Sequence, residues 1–275
     1  MTKNKRILFI SQEIAYYLPD TEISLISRNL PQGIQELGRE IRAFMPKYGS
    51  VNERRNQLHE VIRLSGMNII INDTDHPLII KVGTIPSARI QVYFIDNEDF
   101  FHKKNLLSDM HGTEYSDNDE RSIFFVRGVL ETVKKLRWLP DLIHCHGWLT
   151  ALAPIYLKRK YHDEPGLSGA KIVYSLYEEN FKNPFDSALA SKMRQDGISE
   201  RDLSLIKNAT DAEALTNLAI KFADGIIQGS PTISEDTRAF IEKEKKPYLP
   251  YQTPENYIDA YNNFYTSILS TSKSR

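Results

Sequence analysis

At 275 residues, with 41% hydrophobic and 26% charged side chains, the chain has room for one large α/β domain or two small ones around a proper hydrophobic core. Its 35 basic and 36 acidic residues leave a net charge of -1, and no basic stripe breaks that balance, so binding to nucleic acid or to an anionic lipid surface is excluded. One cysteine, Cys145, rules out an internal disulfide framework, and no apolar run is long enough for a signal-peptide core or a membrane span; the expectation is a cytoplasmic globular protein with no membrane attachment.

Arg6 to Ile10 is a continuous apolar run, the pattern of a strand buried on both faces of a parallel sheet, and it ends in the polar turn Ser11-Gln12-Glu13. Ile23, Ile26, Leu30, Ile34 and Leu37 then recur at helical spacing and close at Gly38, with a kink or restart expected at Pro31. Arg39 to Met45 supplies the next strand, which makes a βαβ unit with a right-handed crossover. Four apolar-rich runs follow: Val61–Leu64, Asn68–Ile71, Leu78–Val82 and Ile90–Ile95. Polar and proline-containing turns separate them, so they read as antiparallel hairpin strands appended to the parallel sheet. Asp96 to Ser116 is polar and irregular, and reads as a surface excursion.

Order returns with a helix that carries Asp119 and Glu120 at its start, an apolar face from Ile123 to Leu136, and Lys134, Lys135 and Arg137 in its last turn. That charge distribution suits the helix dipole, and Pro140 is the stop. Leu142–Cys145 reads as a strand leading into the turn His144-Cys145-His146-Gly147-Trp148, and Trp148–Lys158 as the helix after it. Ile172–Leu176 and Gly225–Gln228 are further strands, with Asp211–Phe222 helical between them. Ser230-Pro231 has the hydroxyl and proline of a helix start. The alternation predicts an α/β fold with a Rossmann-like, doubly wound, mainly parallel sheet and an antiparallel hairpin insertion. Near the C-terminus, Thr253-Pro254-Glu255 reads as a helix start. Tyr257, Ile258, Tyr261, Phe264, Tyr265, Ile268 and Leu269 then form an aromatic stripe, a pattern of core or interface more than of a sugar or cofactor platform. Ser270–Arg275 reads as a frayed tail. The domain expectation is therefore one body over residues 1–243, with a linker and an amphipathic helix over 244–275 packing back on it.

There is no glycine-rich phosphate loop, neither G-x-G-x-x-G after the first strand nor a P-loop, so redox and nucleoside-triphosphatase readings lose their main support and no cofactor is expected. His144 and His146, two apart on one strand, have the spacing of half a metal site. No third ligand lies at a helpful spacing, so hydrogen-bonded histidines are favoured and no metal is expected.

Several segments in order resemble the N-terminal domain of bacterial glycogen synthases and plant starch synthases, the family-five glycosyltransferases. They are Ile7-Leu8-Phe9-Ile10-Ser11 with Glu13, Leu30-Pro31, Met45-Pro46-Lys47-Tyr48-Gly49 and Tyr93-Phe94-Ile95-Asp96-Asn97. The series continues with Asp119-Glu120-Arg121 and Phe124-Phe125, Pro140-Asp141-Leu142-Ile143-His144, Trp148 with Ala151-Leu152-Ala153-Pro154, and Ser230-Pro231-Thr232. The resemblance implies half of a two-domain GT-B type enzyme, in which the N-terminal half holds a glucan acceptor and the other half binds most of an ADP-glucose or UDP-glucose donor. It implies metal-free, retaining extension of an α-1,4-glucan. A sugar-binding crevice is then expected at Glu13, His146, Trp148, Tyr177 and Ser230.

Three departures from the family pattern bear on activity. The family's lysine-threonine-glycine-glycine phosphate loop aligns with Pro19-Asp20-Thr21-Glu22, its aspartate-tryptophan-histidine turn with Gly147-Trp148-Leu149, and its threonine-isoleucine-histidine-asparagine turn with Ser175-Leu176-Tyr177-Glu178. No counterpart of the second domain follows residue 243, and the terminal helix is expected to be the superfamily's crossover helix. No catalytic residue is assigned. The leading expectation is a glucan-binding, scaffolding or regulatory relative. The alternatives are a half-enzyme completed by a homo- or hetero-oligomeric partner, and a protein-interaction module unrelated to sugars.

Overall fold

The computed structural model describes residues 4–102, 104–178 and 180–271. In chain order the strands are β1 (Arg6–Ser11), β2 (Glu40–Pro46), β3 (His59–Glu60), β4 (Met67–Ile71), β5 (Thr74–Ile85), β6 (Ile90–Asp96), β7 (Leu142–His146), β8 (Lys171–Leu176), β9 (Gly225–Gln228) and β10 (Tyr248–Leu249). The α-helices are α1 (Glu22–Glu36), α2 (Asn118–Leu136), α3 (Ala153–Lys158), α4 (Leu189–Gln195), α5 (Ala212–Phe222), α6 (Glu235–Lys243) and α7 (Tyr257–Ser270).

The sheet order is β10-β9-β8-β7-β1-β2-β6-β5-β3, with β4 paired to β5 alone. Every pairing from β10 to β6 is parallel, and those of β5 with β3, β4 and β6 are antiparallel. The parallel strands are apolar without alternation because helices cover both faces: Ile7, Leu8 and Ile10 of β1 and all five residues of β7 are buried. From β1 the chain moves outward to β2 and β6, then returns past β1 to β7, β8 and β9. The order therefore reverses between β1 and β7, and the carboxyl ends of those strands form the switch point where such sheets bind ligands.

The expected mainly parallel, doubly wound sheet with a hairpin insertion is what forms, with corrections in detail. Ile90–Ile95 is not appended hairpin: β6 pairs parallel with β2 and belongs to the main sheet. Val61–Leu64 is a turn, anchored by Val61 N donating to Ile80 O, with Leu64 alone buried in the core. The 96–116 segment is more than a surface excursion. It contains a π-helical turn over Glu98–His102 that buries Phe100 and Phe101. The fully buried Arg121 guanidinium donates to the carbonyls of Phe100, Asn105 and Leu106 and so fastens this segment to α2. Pro31 causes no restart, since α1 runs unbroken through it. The Trp148–Lys158 helix is divided into a 3-10 turn (Trp148–Thr150) and α3. Ser230-Pro231 does not open a helix; Ser234 caps α6 instead, accepting from Thr237 N.

Helix α7 packs on α1 and crosses toward the start of β9. Ile258 fills the space over Gly33, where a Cβ would lie 2.5 Å from its side chain, and Phe264 and Ile268 close over Gly225. Arg39 donates to Asn262 and Thr266, while Tyr261, Tyr265 and Ile268 are buried. Burying each such side chain contributes about 1.5–3 kcal/mol. Of the tail expected at Ser270–Arg275, Ser270 closes α7 and residues 272–275 lie outside the described ones.

Candidate functional site

At the switch point the polar turn after β1 is locked inward. Ser11 Oγ bonds Ser27 Oγ of α1 at 2.6 Å and donates to Glu13 O, Gln12 N donates to His146 O, and Tyr48 Oη donates to Gln12 O. Beyond β7 the chain turns at Gly147, whose φ of 87° and ψ of 167° lie in a region that glycine alone occupies readily. A Cβ there would sit 2.1 Å from Gln12 Oε1, so backbone conformation and packing both require glycine.

Of the histidines of β7, His144 projects toward α7 and His146 toward Tyr177. His144 Nδ1 lies 2.6 Å from Tyr265 Oη and its Nε2 lies 2.7 Å from Ser175 Oγ, so both ring nitrogens have partners. His146 Nδ1 lies 2.7 Å from Tyr177 Oη, and its Nε2 is buried without one. Burial holds both imidazoles neutral: His144 is pushed well below the ordinary histidine range, with His146 adding to the effect, and His146 is pushed down to about 3. A second carboxylate–histidine grouping, Glu53, Asp96 and His102, brings ligand-type atoms within 4.8 Å of one another. Lys47 and Lys81 already bond Glu53, and Lys81 bonds Asp96, so two ammonium groups neutralise the charge a divalent cation would need.

Of the five residues expected to form a crevice, the structure brings Trp148 and Tyr177 to the wall of an open cleft of 530 Å³, while Glu13, His146 and Ser230 lie buried outside its lining. Trp148 is 3% exposed and packs edge-on to Phe181 and Phe185, which makes it a floor for the cleft. Tyr177 turns its hydroxyl inward to His146, and burial raises its pKa well above the ordinary phenol range. Leu149, where the resemblance leads one to expect a histidine, is a core residue.

Sequence reasoning missed the rest of the cleft wall. Glu178 follows β8 and accepts from Thr232 Oγ1 at 3.0 Å. Glu213 and Thr216 come from the first turns of α5, and Ser234 and Thr237 from the start of α6. The signal present in the sequence was the pair of capping residues, Asp211 and Ser234, which aim two helix starts at one cleft. Among the described lining residues there are two carboxylates and no lysine or arginine. Hydroxyls, an amide and carboxylates over an aromatic floor suit a neutral polyhydroxylated ligand and oppose a phosphorylated one.

The start of α1, a natural anion site, is closed from within. Thr21 and Ser24 form a reciprocal capping box that occupies the Ser24 and Thr21 amides. Beside it the Glu22 carboxylate accepts from Ser230 Oγ at 2.5 Å, and Ser230 Oγ in turn accepts from Glu178 N at 3.0 Å. Ser230 is therefore the hinge between α1, β8 and β9.

The family model for the starch synthase catalytic domain matches residues 6–245. A glycogen synthase from Chlorobium limicola is 32% identical over 255 residues, covering 90% of this chain and 52% of that protein. One from Chlorobium phaeobacteroides is 37% identical over 176 residues, covering 64% of this chain and 36% of that protein. The catalytic domain of starch synthase IV from Arabidopsis thaliana, solved with ADP and acarbose bound, shares the fold at a TM-score of 0.72 and 19% identity, over 91% of this chain and 52% of that one. The chain thus spans about half the length of the curated relatives it matches. No helix among the described residues is long and apolar enough to cross a membrane. With its doubly wound sheet and a match from Arg6 to Lys245, the chain belongs to the starch synthase catalytic domain family of glycosyltransferases.

Proposed function

We propose that this chain is a cytoplasmic glucan-holding relative of glycogen synthase, serving as a scaffold or regulatory element of α-1,4-glucan synthesis without transferring glucose itself. The observation that carries this reading is the Glu22–Ser230 bond at the start of α1. Where the family resemblance implies backbone amides approaching a nucleotide phosphate, this chain places its own carboxylate. A carboxylate beside that helix start repels phosphate, and the Ser230 hydroxyl that would otherwise be free to donate there is already bonded to it. The neighbouring cleft fits the other half of the reaction, because a glucan is neutral and rich in hydroxyls. Residues 1–243 would hold the cleft, and the segment over 244–275 would brace it through the Tyr265–His144 contact.

The test is transfer of labelled glucose from ADP-glucose or UDP-glucose to glycogen. The expected result is no incorporation by the chain, either alone or mixed with a full-length glycogen synthase whose own activity has been abolished. Incorporation by the chain alone would overturn the proposal, and incorporation only in the mixture would establish a half-enzyme completed by its partner.

A further inference from the structure

We infer that Tyr16 is a stacking platform for a pyranose ring of an α-glucan, a contact point separate from the cleft; this rests on the glucan-holding function proposed above. Tyr16 stands in the turn after β1 with φ at 97°. The other six non-glycine residues of positive φ among those described lie between 50° and 60°, the ordinary left-handed range. For a bulky residue, 97° is a true outlier that the surrounding structure has to impose.

Its neighbours impose it. Ile14, Ala15 and Tyr17 are buried, Ala15 N donates to Ser24 O of α1, and Tyr17 N and Leu18 N both donate to Ile14 O. Tyr17 packs edge-on against Phe94 with ring centroids 4.9 Å apart. With both flanks fixed in the core, Tyr16 is forced outward and is 51% exposed. Its own ring contact is an edge-on approach to Tyr17 at 5.0 Å.

The exposed Tyr16 ring presents one flat apolar face. It matches the C–H face of a single sugar, which is apolar while the hydroxyls around its rim remain in water. The turn springs from the carboxyl end of β1, and the cleft opens beyond β7, β8 and β9. Both contacts therefore stand at the carboxyl-end edge of the parallel sheet, where such folds bind their ligands.

The experiment is calorimetric titration of maltoheptaose into the full chain and into Tyr16→Gly, Tyr16→Ala and Tyr16→Trp, with thermal unfolding of each. The expected result is affinity weakened ~5–10-fold in Tyr16→Gly and Tyr16→Ala but kept within about twofold in Tyr16→Trp. Tyr16→Gly should unfold at a temperature no lower than the parent, because glycine adopts the turn without strain. Unchanged affinity in Tyr16→Gly, with maltoheptaose still bound by the parent, would overturn the assignment of Tyr16 and leave the glucan-holding function standing. A lower unfolding temperature that parallels the lost affinity would mark Tyr16 as structural and also overturn it. No binding by the parent chain would overturn both.

Discussion

Any side chain at position 147 should destabilise the switch point, and Gly147→Ala is the cleanest form of that test. Two separable costs arise. The φ of 87° with ψ of 167° belongs to glycine, and a Cβ held there costs about 1–3 kcal/mol. The new methyl would also lie 2.1–2.6 Å from the Gln12 side chain, which is buried and flanked by Glu13. Forcing that side chain aside is an overpacking cost of about 1–3 kcal/mol. The combined loss of about 2–6 kcal/mol is a large part of the 5–15 kcal/mol that a typical domain has. Urea unfolding should show the midpoint falling with the slope unchanged. Gln12→Ala combined with Gly147→Ala should recover the packing part and leave the backbone part, a coupling between adjacent residues that single substitutions hide. A Gly147→Ala protein within about 0.5 kcal/mol of the parent would refute the reasoning, since a neutral surface change gives no more than that. By the same two costs, a longer side chain such as aspartate is not accommodated at position 147 by one substitution.

Two other outcomes follow from buried polar groups. Replacing Arg121 by Met leaves three carbonyls and the Asn118 amide oxygen without their donor, and should cost about 3–5 kcal/mol in urea unfolding. Lys should not rescue it, because one ammonium group cannot reproduce the guanidinium fork. Burial keeps His144 and His146 neutral when folded, while unfolded histidine takes up a proton below about pH 6.5. Unfolding therefore binds protons, so stability is intact above that pH and is lost as pH falls toward the folded values. Each histidine contributes up to about 1.4 kcal/mol per pH unit. Urea midpoints from pH 6.5 to 5 should decline, and less steeply in His146→Gln; an unchanged decline in that variant would contradict the neutral assignment.

The sheet was legible because its central strands are short apolar runs bounded by turns. Gly225–Gln228 was read to the residue, and Arg6–Ile10 and Leu142–Cys145 to within one at their ends. Misreadings came where a polar side chain serves a distant partner. Ser230 has the look of a helix cap, but its hydroxyl is taken by Glu22, 208 positions earlier in the chain, and by the Glu178 amide; the cap falls to Ser234. Asp96–Ser116 looks like solvent-exposed loop because its order comes from Arg121 on another helix. Seven-residue α4 is too short for periodicity to declare it. Of the site, the sequence pointed to the turns at Pro19–Glu22, Gly147 and Tyr177, and the structure places Gly147 and Tyr177 in the cleft lining. It did not show the Glu22–Ser230 contact, because that bond exists only in three dimensions.

The measurement that bears most directly on the central claim is a paired calorimetric titration of the chain with maltoheptaose and with ADP-glucose. Saturable binding of maltoheptaose and none of ADP-glucose is the expected result, because the described cleft lining carries carboxylates and no lysine or arginine, and the Glu22 carboxylate stands at the start of α1. ADP-glucose binding that appears only in Glu22→Gly would agree with a carboxylate that excludes phosphate from the start of α1. Tight ADP-glucose binding by the unaltered chain, with no binding of maltoheptaose, would contradict the account.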